Sequence, residues 1–138
     1  MTTDVTPLLE SPTADLVLAA THAALAKNGE RTLVLFVGPV LALTDAFVIT
    51  SAPNTRQVRT IVEEVERAVK ASGGAGPARV EGLDDARWVL MDFEDFVVHV
   101  FLSETRSFYE LERLWTDVQR LDCDEQDVDE VLVVGARP

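Results

Sequence analysis

The most regular pattern of apolar and polar positions lies between residues 54 and 71. Five apolar residues recur there at intervals of three and four, the spacing that lines one face of an α-helix: Val58, Ile61, Val62, Val65 and Val69. Mostly charged residues stand between them, so we expect the opposite face to meet water. Pro53 and Asn54, with Gln57 three residues later, form a variant capping box at the start. The sequence therefore predicts an amphipathic helix that ends in the glycine-rich run 72–77.

A second helical pattern, richer in small residues, precedes this helix. Ser11 and Pro12 are typical of an N-cap followed by proline in the first turn, and Asn28-Gly29 is typical of a helix end. Apolar side chains recur between these signals at helical spacing: Leu16, Val17, Ala20, Ala23 and Ala24. The alanines leave little bulk on this face, so we expect this helix to pack closely against a sheet.

Five stretches favour β-structure. Residues 32–37 and 45–50 are runs of apolar and β-branched residues, which are typical of buried strands. Trp88–Asp92 and Phe96–Leu102 flank a short acidic turn and predict an antiparallel hairpin, with a short strand at 79–82 before it. Together with the helices, these strands predict one α/β domain. Its mixed sheet would have about five strands with helices packed on it.

The chain after the hairpin returns to a helical period from Thr105. One side of the predicted helix is apolar and carries Phe108, Leu111, Leu114, Trp115 and Val118, while Tyr109 and Glu112 lie beside that stripe. After residue 117 the composition changes, because acidic residues crowd positions 122–130 and repel one another. We therefore predict a disordered polar N-terminus at 1–10, a domain at 11–118 and an acidic tail at 119–138.

Composition and charge narrow the function classes. With 138 residues, of which 47% are hydrophobic, the chain is large enough for its own core. It has neither a membrane-span pattern nor a secretory signal pattern, and its single cysteine excludes an internal disulfide or a cysteine metal cluster, so we expect a cytoplasmic location. The net charge of −12 argues against direct binding of nucleic acid and favours a basic protein surface as partner.

Aromatic residues concentrate in residues 87–115. Both tryptophans, the only tyrosine, one of the two histidines and four of the six phenylalanines lie in this segment. Such a concentration indicates either the main cluster of the core or a recognition surface. An apolar and aromatic patch edged by acidic residues has the composition of a protein interface.

An enzyme is the less favoured reading of the same segment. Asp92, Glu94, Asp95 and His99 lie close together in the sequence, as catalytic groups can. A two-residue turn would set His99 opposite Trp88, whereas a longer turn would shift that register. Neither register brings a nucleophile, a base and an orienting group together, and the common catalytic, nucleotide-binding and metal-binding motifs are absent from the sequence. We therefore predict no catalysis, no cofactor and no metal.

Three ordered motifs resemble the ribosomal silencing factor (Iojap-like) family. The first comprises Asp45, Phe47-Val48-Ile49, Ser51 and Arg56-Gln57-Val58, and the second is Glu81-Gly82. The third comprises Trp88-Val89-Leu90-Met91-Asp92, Asp95, Val97-Val98-His99-Val100-Phe101, Arg106, Phe108-Tyr109, Leu111-Glu112 and Leu114-Trp115. The chain departs from the family pattern at Phe36, where an Asp is usual, at Ala52, where Gly is frequent, and at Glu94, where the turn commonly has Gly.

The resemblance implies a fold and a function. The fold would be similar to that of nucleotidyltransferases but without their catalytic site. The function would be a translational repressor that binds the fourteenth protein of the large ribosomal subunit and blocks joining of the small subunit. Trp88 and Tyr109 would anchor the partner, with the other candidate contacts around them: Asp92, His99, Arg106, Leu111, Glu112 and Trp115. The alternative function is a homodimeric adaptor with a different soluble partner.

Six of these candidates also have a simpler structural reading. Trp88 could equally be a core or sheet-face residue, and Leu111 and Trp115 lie on the apolar stripe and could belong to the core. His99 stands in a strand between Val97 and Phe101, so a hydrogen-bonded structural histidine is the competing interpretation. Arg106, Glu110 and Glu112 are within helical reach of one another, and a solvent-exposed set of salt bridges would explain them without a partner.

Overall fold

A six-stranded mixed sheet in the order β3-β4-β5-β2-β1-β6 forms the centre of the computed structural model, which describes residues 12–41 and 43–123. The strands are β1 (Glu30–Phe36), β2 (Ala46–Ala52), β3 (Arg79–Glu81), β4 (Trp88–Asp92), β5 (Phe96–Leu102) and β6 (Gln119–Asp122). The helices are α1 (Pro12–Ala26), α2 (Thr55–Ala71), α3 (Ser103–Tyr109) and a 3₁₀ helix (Leu111–Trp115). The prediction of one α/β domain with a mixed sheet and packed helices is confirmed.

The parallel pair β2 and β5 lies in the middle of the sheet, and every other pairing is antiparallel. Both central strands carry long runs of apolar residues because both of their faces are largely covered. Successive side chains of a strand point to opposite faces. Each strand therefore supplies one set of residues to α1 and α2 and a second set to the other side.

The face of the sheet that packs on α1 and α2, here called the helical face, is aliphatic. All five residues of the predicted α2 stripe are buried against it, which confirms the helix and its orientation. Asn54 caps α2, since its side-chain oxygen accepts a hydrogen bond from Gln57 N at 2.8 Å. The return half of the predicted capping box does not form, because Gln57 Nε2 donates instead to Lys27 O at 3.0 Å, at the end of α1.

Helix α1 packs closely on the helical face because its inward residues are small. Ala20, Ala23 and Ala24 are buried there, as the sequence predicts. Asn28 takes the left-handed conformation that ends the segment, with φ of 63°. Gly29 is required for space, since a Cβ atom there would collide with the hydroxyl of Thr50. The predicted helix end at Asn28-Gly29 thus has two separate causes.

The opposite side of the sheet, here called the aromatic face, carries Phe47, Trp88, His99 and Phe101 beside aliphatic residues of β1 and β2. Only α3 and the 3₁₀ helix pack on it among the described helices. These two helices are short, so the cover is partial. Several aromatic-face residues remain half-buried as a result.

The prediction of one continuous helix from Thr105 is wrong. The chain breaks at Glu110, which adopts the left-handed conformation with φ of 48° and separates α3 from the 3₁₀ helix. Because of this break, Leu111 and Trp115 pack against the aromatic face. Phe108 and Leu114 point away and are 80% and 74% exposed. The single apolar stripe that the spacing predicts is therefore divided between the sheet and the surface.

The predicted end of the domain at residue 118 falls before the last strand of the sheet. Gln119–Asp122, assigned above to the acidic tail, forms the edge strand β6 and pairs antiparallel with β1, which raises the strand count to six. Cys123 N then donates to Thr32 O at 2.8 Å. Only Leu121 in this strand is strongly apolar, so its pattern is weak and its pairing depends on β1. The predicted disordered N-terminus at 1–10 and the remainder of the predicted tail lie outside the described residues.

Candidate protein-binding surface

The register of the β4–β5 hairpin determines which candidate residues meet. Trp88 lies opposite Phe101, Leu90 opposite His99, and Asp92 opposite Val97. Trp88 and His99 are therefore diagonal neighbours on the aromatic face, and Trp88 Nε1 donates a hydrogen bond to His99 Nδ1 at 3.1 Å. The hairpin therefore does not have the register that would set His99 opposite Trp88. It has the shifted register that the sequence also leaves open.

A continuous array of aromatic rings runs across this face. Trp88 stacks on Phe101 with 4.7 Å between ring centroids and touches Tyr109 at 5.2 Å. Farther along, Phe47 meets His99 at 4.9 Å and Trp115 at 5.4 Å, both edge to face. Tyr109 is 56% exposed, while Trp88, Phe47 and Trp115 are half-buried. The inner part of the array belongs to the core, and its outer edge reaches solvent.

His99 is a neutral, enclosed member of the array. Its side chain is only 4% exposed, and this burial lowers the pKa of the imidazole to about 4. The hydrogen bond from Trp88 assigns the acceptor to Nδ1, which leaves the proton on Nε2. Nε2 has no hydrogen-bond partner in the part of the chain that the structure describes. The role of His99 is therefore to hold the Trp88 indole in place.

Arg106 joins α3, the 3₁₀ helix and two strands. Its Nη2 and Nε donate to Glu112 Oε2 at 2.8 and 3.0 Å. Its Nη1 donates to Glu30 O at 3.1 Å and to Ser51 Oγ at 3.0 Å. The residue is 1% exposed. These contacts span the break at Glu110, so they set the position of Leu111 and Trp115 relative to Tyr109.

The Arg106–Glu112 pair differs from the exposed salt bridge that helical spacing suggests, and that interpretation is wrong. Burial lowers the pKa of the Arg106 guanidinium, and Glu112 opposes this effect. For Glu112, burial acts to raise the pKa of the carboxyl, but hydrogen bonds from its own backbone and from Arg106 bring the pKa below its ordinary value. The contact between the two groups therefore favours the charged form of each and opposes the effect of burial. Together they clamp the cover of the aromatic face onto the sheet.

The eight predicted contact residues fall into two groups. The reachable residues are Trp88, Tyr109, Asp92, Leu111, Trp115 and, through a small exposed part, Glu112. His99 and Arg106 are enclosed, so for these two the prediction of a direct contact is corrected to a supporting position. Asp92 Oδ1 accepts a hydrogen bond from Glu94 N at 2.8 Å in the hairpin turn.

The contact prediction left out three residues that the structure adds to this region: Phe47, Phe108 and Leu114. Phe47 comes from β2, and only the sheet pairing brings it beside His99 and Trp115. Phe108 and Leu114 were expected on one apolar stripe with Leu111 and Trp115, and the break at Glu110 divides that stripe and leaves them exposed. The clustering of both residues with Tyr109 and Trp115 in the sequence was the available signal.

Across residues 12–41 and 43–123 there is no group of three or more His, Cys, Asp or Glu side chains placed to hold a metal ion. Within those same ranges, no helix combines the length and apolar character needed to cross a bilayer. Phe36, where the resembling family usually has an acid, packs in the core, and Ser51 Oγ is engaged with Glu30 O and Arg106.

Comparison with known proteins gives the family context. Residues 10–134 match the family model described as "Ribosomal silencing factor during starvation". The ribosomal silencing factor RsfS of Bacillus subtilis is 38% identical over 98 residues, covering 71% of this chain and 82% of that protein. A mouse protein named "Mitochondrial assembly of ribosomal large subunit protein 1" is 37% identical over 92 residues, covering 65% of this chain and 40% of its own. A crystal structure from Bacillus halodurans superposes with a TM-score of 0.69 at 32% identity, covering 80% and 99% of the two chains.

Proposed function

The chain belongs to the family of ribosomal silencing factors, and from that premise we propose that it binds the large ribosomal subunit and represses translation. The proposed contact is the fourteenth large-subunit protein, at the face that meets the small subunit. The name of the mouse relative refers to the ribosomal large subunit and supports a partner on that subunit. We place this activity in the cytoplasm, where ribosomal subunits join.

The observation that carries the proposal is the half-open aromatic array. Large rings that are partly packed and partly exposed present a rigid apolar surface at a small cost in side-chain entropy. Trp88 and Tyr109 lie in contact at its outer edge. The other reachable candidates are Leu111, Glu112, Trp115 and Asp92. A tight interface needs such a centre with a polar rim.

The proposed mechanism is steric and involves no bond making or breaking. A protein that occupies the joining face excludes the small subunit as long as its affinity exceeds that of the competing contact. His99 and the Arg106–Glu112 pair hold the aromatic array in place before binding, so fewer side chains have to be ordered in the complex. The net charge of −12 would speed association with a basic ribosomal protein.

Sedimentation with purified large subunits, followed by a subunit-joining assay, tests this function. We expect Trp88→Ala and Tyr109→Ala to weaken binding by about 2 kcal/mol each, or roughly thirtyfold, because each removes a central anchor. Leu83→Ala is the control, since Leu83 is an exposed apolar residue beside α2. Circular dichroism establishes that the variants are folded. Unchanged binding of folded Trp88→Ala and Tyr109→Ala variants would contradict the proposal.

The homodimeric adaptor is the competing function and makes a different prediction. Light scattering over a dilution series, with and without large subunits, separates the two. Dimers that persist on dilution and ignore large subunits would favour the adaptor, whereas co-sedimentation that displaces self-association supports the silencing factor.

A further inference from the structure

A groove of about 660 Å³ opens beside the aromatic array, between the start of β4, the loop before it and α3. Its apolar walls are Trp88, Tyr109, Phe108 and Leu102, and Asp85 and Glu104 bring carboxylates to it. The groove shares Trp88 and Tyr109 with the proposed binding surface. It extends that surface away from Trp115, towards the loop that precedes β4.

The aromatic walls of the groove are well placed to receive a cation. Trp88 and Tyr109 are 5.2 Å apart and tilted by 48°, while Phe108 meets Tyr109 edge to face at 5.0 Å. The exposed ring surfaces of Tyr109 and Phe108 carry the negative potential of aromatic π-systems. A cation within about 6 Å of such a ring centre is attracted to it, most strongly by tryptophan.

The charged residues of the groove point to the same class of ligand. Asp85 and Glu104 contribute two negative charges, and Arg87 contributes one positive charge, so the lining is negative overall. A purely apolar side chain would gain no attraction from the exposed carboxylates, and an anionic group would be repelled by both of them. A long side chain with an aliphatic stem and a cationic end suits this lining. Its stem would pack against Leu102 and the rings, and its charged end would pair with the carboxylates.

We propose that this groove receives a lysine or arginine side chain from a basic protein segment. The inference rests on the proposed function, because it specifies what the ribosomal partner must present next to the aromatic array. An arginine fits the groove better than a lysine, since a planar guanidinium stacks on rings while it pairs with a carboxylate.

The first test uses small probes on the isolated protein. The peptide acetyl-Gly-Gly-Arg-Gly-Gly-amide is titrated while NMR follows the indole signal of Trp88 and the ring signals of Tyr109. Two control peptides replace arginine by citrulline, which has the same shape without the charge, or by norleucine, which is apolar. We expect the arginine peptide to bind about fivefold more tightly than either control, with an advantage that shrinks as salt is added.

Three outcomes of that titration would overturn the inference. Equal binding of the norleucine peptide would make the groove an apolar site, and equal binding of the citrulline peptide would remove the role of charge. Absence of any response at the Trp88 and Tyr109 signals would mean that the groove takes no such side chain. Movement of these signals on dilution without peptide would assign the groove to a second copy of the chain.

The second test uses paired substitutions that remove equal charge. Asp85→Asn with Glu104→Gln neutralises the groove, while Asp84→Asn with Glu63→Gln neutralises two residues that line a depression beside α2. We expect the first pair to weaken binding to large subunits about tenfold and to abolish the preference for the arginine peptide. The second pair should change binding by about twofold or less, through the long-range field alone.

The two tests separate this inference from the proposed function. If the two pairs weakened binding to large subunits equally, the groove assignment would be wrong. The proposed function would still stand. Failure to bind large subunits, combined with selective binding of the arginine peptide, would overturn the proposed function and keep the groove as a site for basic side chains. Thermal denaturation of each pair confirms that the exposed substitutions leave the fold unchanged.

Discussion

The two faces of the sheet are built from the same strands and differ in chemistry. The helical face packs aliphatic and alanine side chains under two helices of 15 and 17 residues, and its centre is fully buried. The aromatic face carries rings, a histidine and an ion pair under helices of 7 and 5 residues. Apolar burial stabilises the first face. The second face contains groups that are costly to bury and leaves apolar surface exposed.

This difference separates the part of the molecule that supplies most of the apolar packing from the part that we propose for recognition. A buried arginine and a buried neutral histidine contribute little to stability compared with aliphatic packing, because each must be desolvated. Their contacts instead position Trp88 and the segment from Tyr109 to Trp115. The aromatic face is therefore partly core and partly solvent-exposed, and its buried polar contacts fix the positions of the exposed rings.

The largest effect should come from the clamp of the aromatic face. We expect Arg106→Met to destabilise the protein by about 3–5 kcal/mol in urea denaturation, because Glu112 would stay buried without its partner. Arg113→Met is the matched control, since the Arg113–Glu110 pair lies in the same segment but is exposed. Its cost should be about 0–1 kcal/mol. Similar losses in both variants would mean that burial of the Arg106 pair has no special role.

The second prediction is that the free energy of unfolding depends on pH through His99 of the aromatic face. His99 has an ordinary pKa of 6.5 when unfolded and a pKa of about 4 when folded. Between these values the unfolded chain binds the proton first, so stability is full above about pH 6.5 and falls as the pH drops towards 4, by up to about 3 kcal/mol from this residue.

Denaturation at several pH values measures this slope. The variant His99→Gln should lose most of it between pH 6.5 and 4, while His22→Gln, which removes the histidine of α1, should keep it. A slope that survives in His99→Gln would assign the dependence to the carboxylates and not to the aromatic face.

The smallest effect concerns the hairpin turn next to the aromatic face. Glu94 has φ of 74°, in the left-handed region where a glycine is unstrained. We expect Glu94→Gly to raise the free energy of unfolding by about 0.5–1 kcal/mol, because the strain relieved exceeds the added freedom of the unfolded chain.

Large-subunit binding should not change in this variant, since Glu94 lies at the far end from Trp88 and Tyr109. Urea denaturation and sedimentation measure the two quantities separately. Destabilisation would show that the added freedom of the unfolded chain outweighs the relieved strain, because the variant keeps the hydrogen bond from the backbone N of residue 94 to Asp92 Oδ1.

The sequence by itself determined the elements whose signals are local. The α2 stripe and its Asn54 cap follow from helical spacing and short-range hydrogen bonding, and the two hairpin strands coincide with the predicted ranges. Family membership was equally readable, because its motifs are short runs of consecutive residues. Each of these features depends on residues close to one another along the chain.

Only the tertiary structure decided the shape of the proposed binding surface. The break at Glu110 arises where Arg106 reaches Glu112 across the turn and also reaches Glu30 and Ser51, which are distant in sequence. Strand β6 exists because β1 offers it an edge, and Phe47 joins the array through its pairing with β5. Long-range contacts of this kind leave no periodic pattern in the sequence, so helical spacing alone placed Arg106 in a solvent-exposed salt bridge and Phe108 on one apolar stripe with Leu111 and Trp115.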